Sequence, residues 1–185
     1  MKVIHLISGG DSGGAKTHVL SLLQNLNKTI TAQLVCFRDG PFAQEARDLG
    51  IPTMICGGNN IPHLRRELAD YIRQGGYQLI HCHGSRANMI GALLREPTGL
   101  PVVSTVHSDY KLDYMGRPFA RLTFGAINAW ALRHLDYRIG VSDAMVDLLI
   151  DRGFPPDRFY AIYNGIDFTP APSQGDRLAY LRGPG

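Results

Sequence analysis

A short apolar run, a glycine-rich turn and a helical pattern open the chain, and this stretch constrains the fold more than any other. The run at residues 2–8 is typical of the central strand of a parallel sheet. From Ala15 to Leu26, apolar residues recur at the spacing of one helix face. The glycines at positions 9, 10, 13 and 14 let the backbone turn tightly between the two elements. The pattern predicts the first β-α unit of an α/β fold.

The start of that helix is a candidate anion site. Free N–H groups and the helix dipole favour negative charge there, so we expect a phosphate-bearing ligand near Gly13 and Gly14. A plain strand-to-helix connection is the alternative. The turn nearly fits a P-loop, but Ala15 occupies the lysine position, and Lys16 follows one residue late, rotated by about 100°. No G-x-G-x-x-G register fits either, so a nucleotide hydrolase and a dinucleotide-binding domain are disfavoured.

Composition limits the partners and the compartment. The 185 residues suit one domain, and a net charge of +3 without a basic run does not indicate nucleic-acid binding. Three scattered cysteines favour a reducing compartment, so we expect a cytoplasmic protein. The first strand begins at residue 2, which leaves no room for a signal peptide. No apolar stretch approaches ~18 residues, so none is expected to span a bilayer.

Strand and helix patterns alternate along the rest of the chain without hairpin signals. This alternation predicts an α/β, doubly wound, mainly parallel sheet of about seven strands, with helices on both faces. We assign residues 1–168 to this Rossmann-like domain and the proline- and glycine-rich residues 169–185 to an interdomain linker or the start of a second domain. The predicted strands cover residues 2–8, 31–37, 51–56, 77–82, 101–106, 137–141 and 158–163, with helices at 15–26, 42–49, 61–74, 85–95, 118–134 and 143–151.

Polar side chains follow three of the predicted strands. In such sheets, ligands bind beyond the carboxyl ends of the strands, where the strand order reverses. If the first and fourth strands are neighbours, residues 83–86 line that crevice beside the glycine turn, and His107 and Ser108 lie one strand further. A histidine at position 107 can donate to a sugar hydroxyl or a phosphate, or act as an acid-base group. A histidine that merely caps the strand end is the alternative.

Two other interpretations remain open. His81 and His83 share one face of a strand, and with His107 they could ligate zinc in a metal-dependent hydrolase. No carboxylate accompanies the pair, so we expect no metal. The helix at 118–134 carries aromatic residues and arginines and could lie on an anionic membrane, but packing against the sheet is favoured.

Five short motifs in order resemble the N-terminal half of a GT-B glycosyltransferase of the large retaining family 4. Each lies at a predicted strand end, and together they extend over residues 2–168. Lys16 replaces the glutamate that is usual in the first motif. The motifs are Gly13-Gly14-Ala15-Lys16-Thr17-His18, Leu79-Ile80-His81-Cys82-His83-Gly84, Ser104-Thr105-Val106-His107, Ile139-Gly140-Val141-Ser142 and Tyr163-Asn164-Gly165-Ile166-Asp167.

The resemblance implies transfer of a hexosyl group from a nucleotide-sugar to a glycan, lipid-linked or small-molecule acceptor, with retention and without a metal or other cofactor. It also implies a missing C-terminal domain that holds most of the donor, so we expect little activity from this chain alone. A non-catalytic sugar- or nucleotide-binding module remains the competing hypothesis, with the metal-dependent hydrolase behind it. Peripheral contact with the inner face of a membrane is also compatible with such an enzyme.

The resemblance places His107 at the donor sugar as the catalytic residue, and Gly13 and Gly14 at the donor diphosphate. Ser85 and Arg86 are expected to flank the acceptor. The remaining substrate contacts are assigned to Lys16, His83, Ser108 and Asn164.

Overall fold

The computed structural model describes residues 1–10, 14–109 and 118–165, with residues 118–124 as backbone only. Within these ranges strands and helices alternate along the chain, as predicted. In chain order they are β1 (Lys2–Ile7), α1 (Gly14–Leu26), β2 (Thr31–Cys36), α2 (Pro41–Asp48), β3 (Thr53–Ile55), α3 (Ile61–Gly75), β4 (Leu79–His83), α4 (Ser85–Thr98), β5 (Val102–Val106), α5 (Pro118–His134), β6 (Tyr137–Gly140), α6 (Asp143–Asp151), a 3₁₀ turn (Pro156–Arg158) and β7 (Phe159–Ala161). None of the described helices combines the length and the apolar character needed to cross a bilayer.

The sheet is parallel in every described pairing, and its order is β3-β2-β1-β4-β5-β6-β7. β1 pairs with β2 on one side and with β4 on the other, so the strand order reverses between β1 and β4. This confirms the predicted neighbours, and it places a ligand crevice at the carboxyl ends of these two strands. β5 lies next to β4, which brings the predicted strand ends at residues 83 and 107 to adjacent strands.

Helices cover both faces of the sheet, and alternate residues of each strand face opposite layers. On one face α1 and α2 pack against β1 and β2 through a cluster that includes Ile7, Val19, Leu23, Leu34 and Phe42. On the other face α3, α4, α5 and α6 pack in a larger cluster that includes Leu6, Leu68, Ile90, Leu132 and Leu149. The chain is therefore doubly wound, as the periodicity predicted.

Helix α4 runs to Thr98, beyond the predicted end at residue 95, although it contains Pro97. A proline inside a helix has no N–H for the carbonyl four residues earlier, which here belongs to Leu93. The guanidinium of Arg65 on α3 supplies the missing donor, with Nε 2.8 Å from the Leu93 oxygen. The helix continues because a neighbouring helix satisfies the carbonyl, which is a long-range effect that local sequence patterns do not reveal.

Strand boundaries differ from prediction by a few residues. The strand predicted at 77–82 lies at Leu79–His83, because Gly76 ends α3 in the left-handed region and Tyr77 still bonds back to that helix. The last strand is only Phe159–Ala161, after a 3₁₀ turn. The prediction that residues 169–185 form a linker or a second domain falls outside the described residues.

Candidate functional site

The glycine turn between β1 and α1 lies against the loop that follows β2. Gly9 has φ +84°, and a Cβ added there would lie 2.5 Å from the carbonyl oxygen of Arg38. A side chain at this position would therefore be both strained and obstructed. Gly14 is exposed as the first residue of α1, where backbone N–H groups lack partners within the helix. Gly13, the other predicted diphosphate contact, lies outside the described residues.

Arg38 is a site residue that the sequence analysis missed. It is exposed at the end of β2, and its guanidinium occupies the space where a Cβ on Gly10 would project. Among the described residues it has no carboxylate within ion-pair distance. In the described part of the chain, the carboxyl edge of the sheet thus has a positive charge without a paired carboxylate, directly beside the turn that was predicted to bind phosphate.

Histidines from four elements meet at the reversal point of the sheet. His5 on β1 is paired in register with His81 on β4, and the two ring centroids are 4.8 Å apart. The rings of His81 and His83 stack at 4.3 Å, and that of His83 stacks on His107 at 5.9 Å. His18 on α1 meets the His107 ring edge-on at 4.9 Å. We call these residues the histidine cluster: it extends from the buried centre of the sheet to its carboxyl edge.

Hydrogen bonds fix the inner part of the histidine cluster. His5 Nδ1 lies 3.1 Å from His83 Nε2, so one ring must donate to the other. His81 Nε2 lies 2.7 Å from the hydroxyl of Thr105 on β5. At the outer end, His107 Nε2 is buried without a hydrogen-bond partner in the described part of the chain. An unpaired buried nitrogen is costly, so a ligand that bonds to it would gain affinity.

Burial makes the cluster a set of neutral imidazoles. Loss of hydration, with a smaller contribution from the nearby His18, lowers the pKa of His5 to about 3 and that of His107 to about 4. Burial and the neighbouring rings also lower the pKa of His81 and of His83 well below the usual value. At neutral pH these side chains are therefore donors and acceptors of hydrogen bonds rather than cations.

The histidines that the structure groups together as possible metal ligands differ from those predicted. Among the described residues, His5 joins His81 and His83 in a group whose ring nitrogens lie within 4.8 Å of one another, and His107 is outside this group. The three side chains are at most 7% exposed. Hydrolytic zinc needs an open position where a bound water can reach the substrate. A metal held by these rings would be enclosed, so their geometry does not fit a zinc hydrolase.

The segment after β5 starts with an anchored residue. His107 is half-buried and Ser108 is exposed. Asp109 forms a two-pronged ion pair with Arg152 at the end of α6, and both side chains are largely buried. The start of the loop that follows β5 is therefore tied to the neighbouring β-α unit. The remainder of that loop, from residue 110 to 117, lies outside the described residues.

Ser85 and Arg86 begin α4, immediately beyond the carboxyl end of β4. The Arg86 guanidinium donates to the Gly58 carbonyl at 2.7 Å and lies 5.4 Å from the centre of the Phe37 ring. A cavity of about 350 Å³ opens beside both residues. These contacts put the predicted acceptor residues at the same edge as the histidine cluster.

Two other predicted contacts, Lys16 and Asn164, are less favourably placed for substrate. The Lys16 ammonium forms an ion pair with Glu45 on α2, which competes with any contact to substrate. Asn164 is exposed after β7, two strands beyond β5, and thus about 10 Å further across the sheet. The structure brings His83 and His107 together, and it places Gly14 at the start of α1, the helix whose His18 contacts His107. The roles of all the predicted site residues stay predictions.

The matching family model is described as Glycosyltransferase Family 4, and it covers residues 12–169. The chain is 24% identical over 169 residues to an Escherichia coli enzyme named UDP-Gal:alpha-D-GlcNAc-diphosphoundecaprenol alpha-1,3-galactosyltransferase. That match covers 81% of this chain and 41% of the relative.

Solved structures with the same fold include HepE (Alr3699) of Anabaena in complex with UDP, with a TM-score of 0.79 and 21% identity. A glycosyltransferase from Rickettsia africae has a TM-score of 0.72 and 15% identity. These matches cover 99% and 100% of this chain and half of each neighbour, so the chain spans about half the length of the proteins it resembles. The fold is the Rossmann-like N-terminal half of a GT-B glycosyltransferase. Since the family model matches most of its length, the chain belongs to Glycosyltransferase Family 4.

Proposed function

We propose that this domain takes part in transfer of a hexosyl group from a nucleotide-sugar, with retention, and that its carboxyl edge forms the acceptor side of the catalytic cleft. The family membership supports a glycosyl transfer. Structures of the similar HepE with UDP and with UDP-glucose support a uridine nucleotide as the donor's leaving group. The observation that carries the proposal is the placement of His107, a neutral imidazole with an unpartnered buried nitrogen at the strand end next to the reversal point.

His107 is well suited to bind a neutral polar group, such as a hydroxyl, in the ground state and in the transition state. Its lowered pKa keeps the ring uncharged at neutral pH, so it does not serve as a protonated acid there. Nε2 can instead donate to or accept from a hydroxyl of the donor sugar. Contacts with the rings of His83 and His18 hold the imidazole in place. A preorganised hydrogen bond of this kind can favour the transition state over the ground state.

Charge on the leaving diphosphate can be stabilised without a metal. The start of α1 at Gly14 offers backbone N–H groups and the positive end of the helix dipole. Arg38 adds a guanidinium beside the same turn. We propose that these groups replace a metal ion, and that Ser85 and Arg86 contact the acceptor.

The other half of the catalytic cleft belongs to a second domain in this proposal. The chain spans 41–50% of the relatives described above. We infer that the corresponding other half holds most of the nucleotide, so the 185-residue chain alone should turn over little substrate. A cytoplasmic location and contact with the inner face of a membrane remain part of the proposal.

The experiment replaces His107 by alanine in the full-length protein and measures transfer from UDP-hexoses. We expect kcat to fall by about 10²-fold or more, because such donors typically contribute that much. His63→Ala is the matched control, since His63 is exposed on α3, away from the cluster. Circular dichroism must show that both variants are folded. An unchanged rate in His107→Ala would refute the assigned role. Nucleotide-sugar binding without turnover by the unsubstituted protein would instead favour a non-catalytic binding module.

A further inference from the structure

The cavity beside Ser85 has walls from three different helices. Ile61 begins α3, Met89 lies in the second turn of α4, and Ile127 lies in the middle of α5. The cavity measures about 350 Å³, which is within the range of small-ligand sites. Ile61 and Met89 rest on the hydrophobic core, while Ile127 is 39% exposed despite its aliphatic side chain. The structure thus keeps an aliphatic surface open at the edge where the acceptor is expected.

The lining chemistry distinguishes between classes of acceptor. The three apolar side chains offer no strong hydrogen bonds, and the polar side chains that line the cavity in the described part of the chain are those of Asn59, Ser85 and Arg86. A glycan inserted among these apolar side chains would bury hydroxyl groups without partners, which disfavours its binding. An aliphatic chain loses no hydrogen bonds on entering, and each CH₂ group removed from water favours its binding. The cavity therefore favours hydrocarbon over carbohydrate.

The positive charge of Arg86 at the rim of the cavity favours a ligand that also carries a negative group. The Arg86 guanidinium is held by the Gly58 carbonyl and the face of Phe37, yet it has no ion pair with any carboxylate in the described part of the chain. One of its nitrogen atoms is used by that carbonyl, and the fork retains further N–H donors for an anion. Guanidinium groups match phosphate oxygens well, because they can donate two parallel hydrogen bonds. A ligand with a phosphate next to an aliphatic chain could bind the Arg86 guanidinium at the rim and the apolar side chains inside the cavity.

The position of the cavity fits transfer to such a ligand. Ser85 lines the cavity and lies two residues after His83, whose ring stacks on His107. A phosphate bound at Arg86 would therefore place whatever it carries at the carboxyl edge, near the histidine cluster.

We propose that the acceptor is a lipid phosphate with a hydroxyl-bearing head group, the start of its aliphatic chain in the Ile61–Met89–Ile127 cavity and its phosphate on Arg86. A head-group hydroxyl loses its proton and forms the new bond to the donor sugar, while the bond from that sugar to the nucleoside diphosphate breaks and the diphosphate leaves. The role of this ligand as acceptor rests on the proposed function, whereas the binding of a lipid phosphate at this cavity does not. The ligand's chain distinguishes it from a soluble glycan phosphate, which would contact Arg86 alone.

The test titrates the 185-residue chain, labelled with ¹³C at its methionine methyl groups, with farnesyl diphosphate below its micelle concentration. We expect a saturable shift of the Met89 methyl resonance, while Met145 on α6 serves as an internal reference and stays unchanged. Inorganic pyrophosphate and farnesol test the charge and the chain separately, and each should bind at least tenfold more weakly than farnesyl diphosphate. A Met89 signal that does not move, or equal binding of either fragment, would overturn the proposal.

Variants check the location. Arg86→Gln and Ile127→Asp should each weaken binding at least tenfold, whereas Ile162→Asp, at a comparably exposed isoleucine after β7, should not. Equal weakening by all three would also overturn the proposal. Transfer to a water-soluble glycan by a protein whose Met89 methyl does not shift would remove this inference and leave the proposed function intact. A clear Met89 shift in a protein without transferase activity would support the lipid phosphate site and refute the proposed function.

Discussion

The histidine cluster makes the stability of this domain depend strongly on mildly acidic pH. In the unfolded chain a histidine takes up a proton near pH 6.5, whereas folding lowers the pKa of His5 to about 3 and that of His107 to about 4. Between pH 6.5 and these values the unfolded state binds more protons than the folded state. The free energy of unfolding must therefore fall as the pH decreases through this window, and be fully recovered above it.

The magnitude follows from the two shifts. Each of these two groups lowers the free energy of unfolding by about 1.3 kcal/mol between pH 7.5 and pH 5.5, so together they remove about 3 kcal/mol. His18, His81 and His83 add to the loss, since burial lowers their pKa as well. A typical domain has only about 5–15 kcal/mol of stability, so the loss should be easy to detect.

Urea unfolding followed by circular dichroism at a series of pH values measures this effect. The informative variant is His5→Gln, whose amide can still donate to His83 but does not titrate. Whatever the stability of this variant at pH 7.5, the decrease in its free energy of unfolding between pH 7.5 and pH 5.5 should be smaller than that of the wild type by about 1.3 kcal/mol. His63→Gln, at an exposed position, should retain the wild-type pH dependence.

Two results would refute this reasoning. One is a wild-type stability that changes by less than about 1 kcal/mol between the two pH values. The other is an His5→Gln variant with the same pH dependence as the wild type. Should the variant fail to fold, the C2–H proton resonances of the wild-type histidines give the same answer, because the rings of His5 and His107 should not titrate above pH 5.5.

Three further predictions concern stability. Arg65→Ala should cost about 1–3 kcal/mol, because it leaves the carbonyl opposite the helix proline without a donor, whereas Arg66→Ala on the exposed side of α3 should cost little in the same urea titration. Gly9→Ala should lower the thermal midpoint by several degrees through strain and a clash, and Gly125→Ala, with open space at its Cβ, should not; equal midpoints would refute the steric argument. Ser142→Ala should lose about 1 kcal/mol, since the hydroxyl caps α6, and Ser142→Asp should restore it.

Much of the framework could be predicted from local sequence because parallel sheets follow strict rules. The apolar runs identified every strand of the described sheet, whereas the reversal point between the first and fourth strands was only assumed and the structure confirmed it. Once the first and fourth strands were taken as neighbours, His83 and His107 had to lie on adjacent strand ends. Their closeness, with rings 5.9 Å apart, therefore followed from chain order and strand polarity alone.

What escaped prediction depends on register and on long-range packing. His5 joins the cluster only because β1 pairs with β4 in one particular register, which no local pattern specifies. His18 lies one helical turn beyond Gly14, a spacing that could have placed it over the turn. The position of Arg38 beside Gly10 and the ion pair of Lys16 depend on side-chain directions across loops, which only the folded structure reveals.

The central claim is that the carboxyl edge between β1 and β5 binds the donor's diphosphate and sugar. Chemical shifts of the ¹⁵N-labelled chain, titrated with UDP-glucose at millimolar concentrations, test it most directly. We predict saturable shifts at the Gly14 amide and the His107 ring, and a lost or weaker shift of the Gly14 amide in His107→Ala. Shifts confined to the opposite edge of the sheet, around Gly99 and Tyr137, or no shift anywhere, would contradict the account.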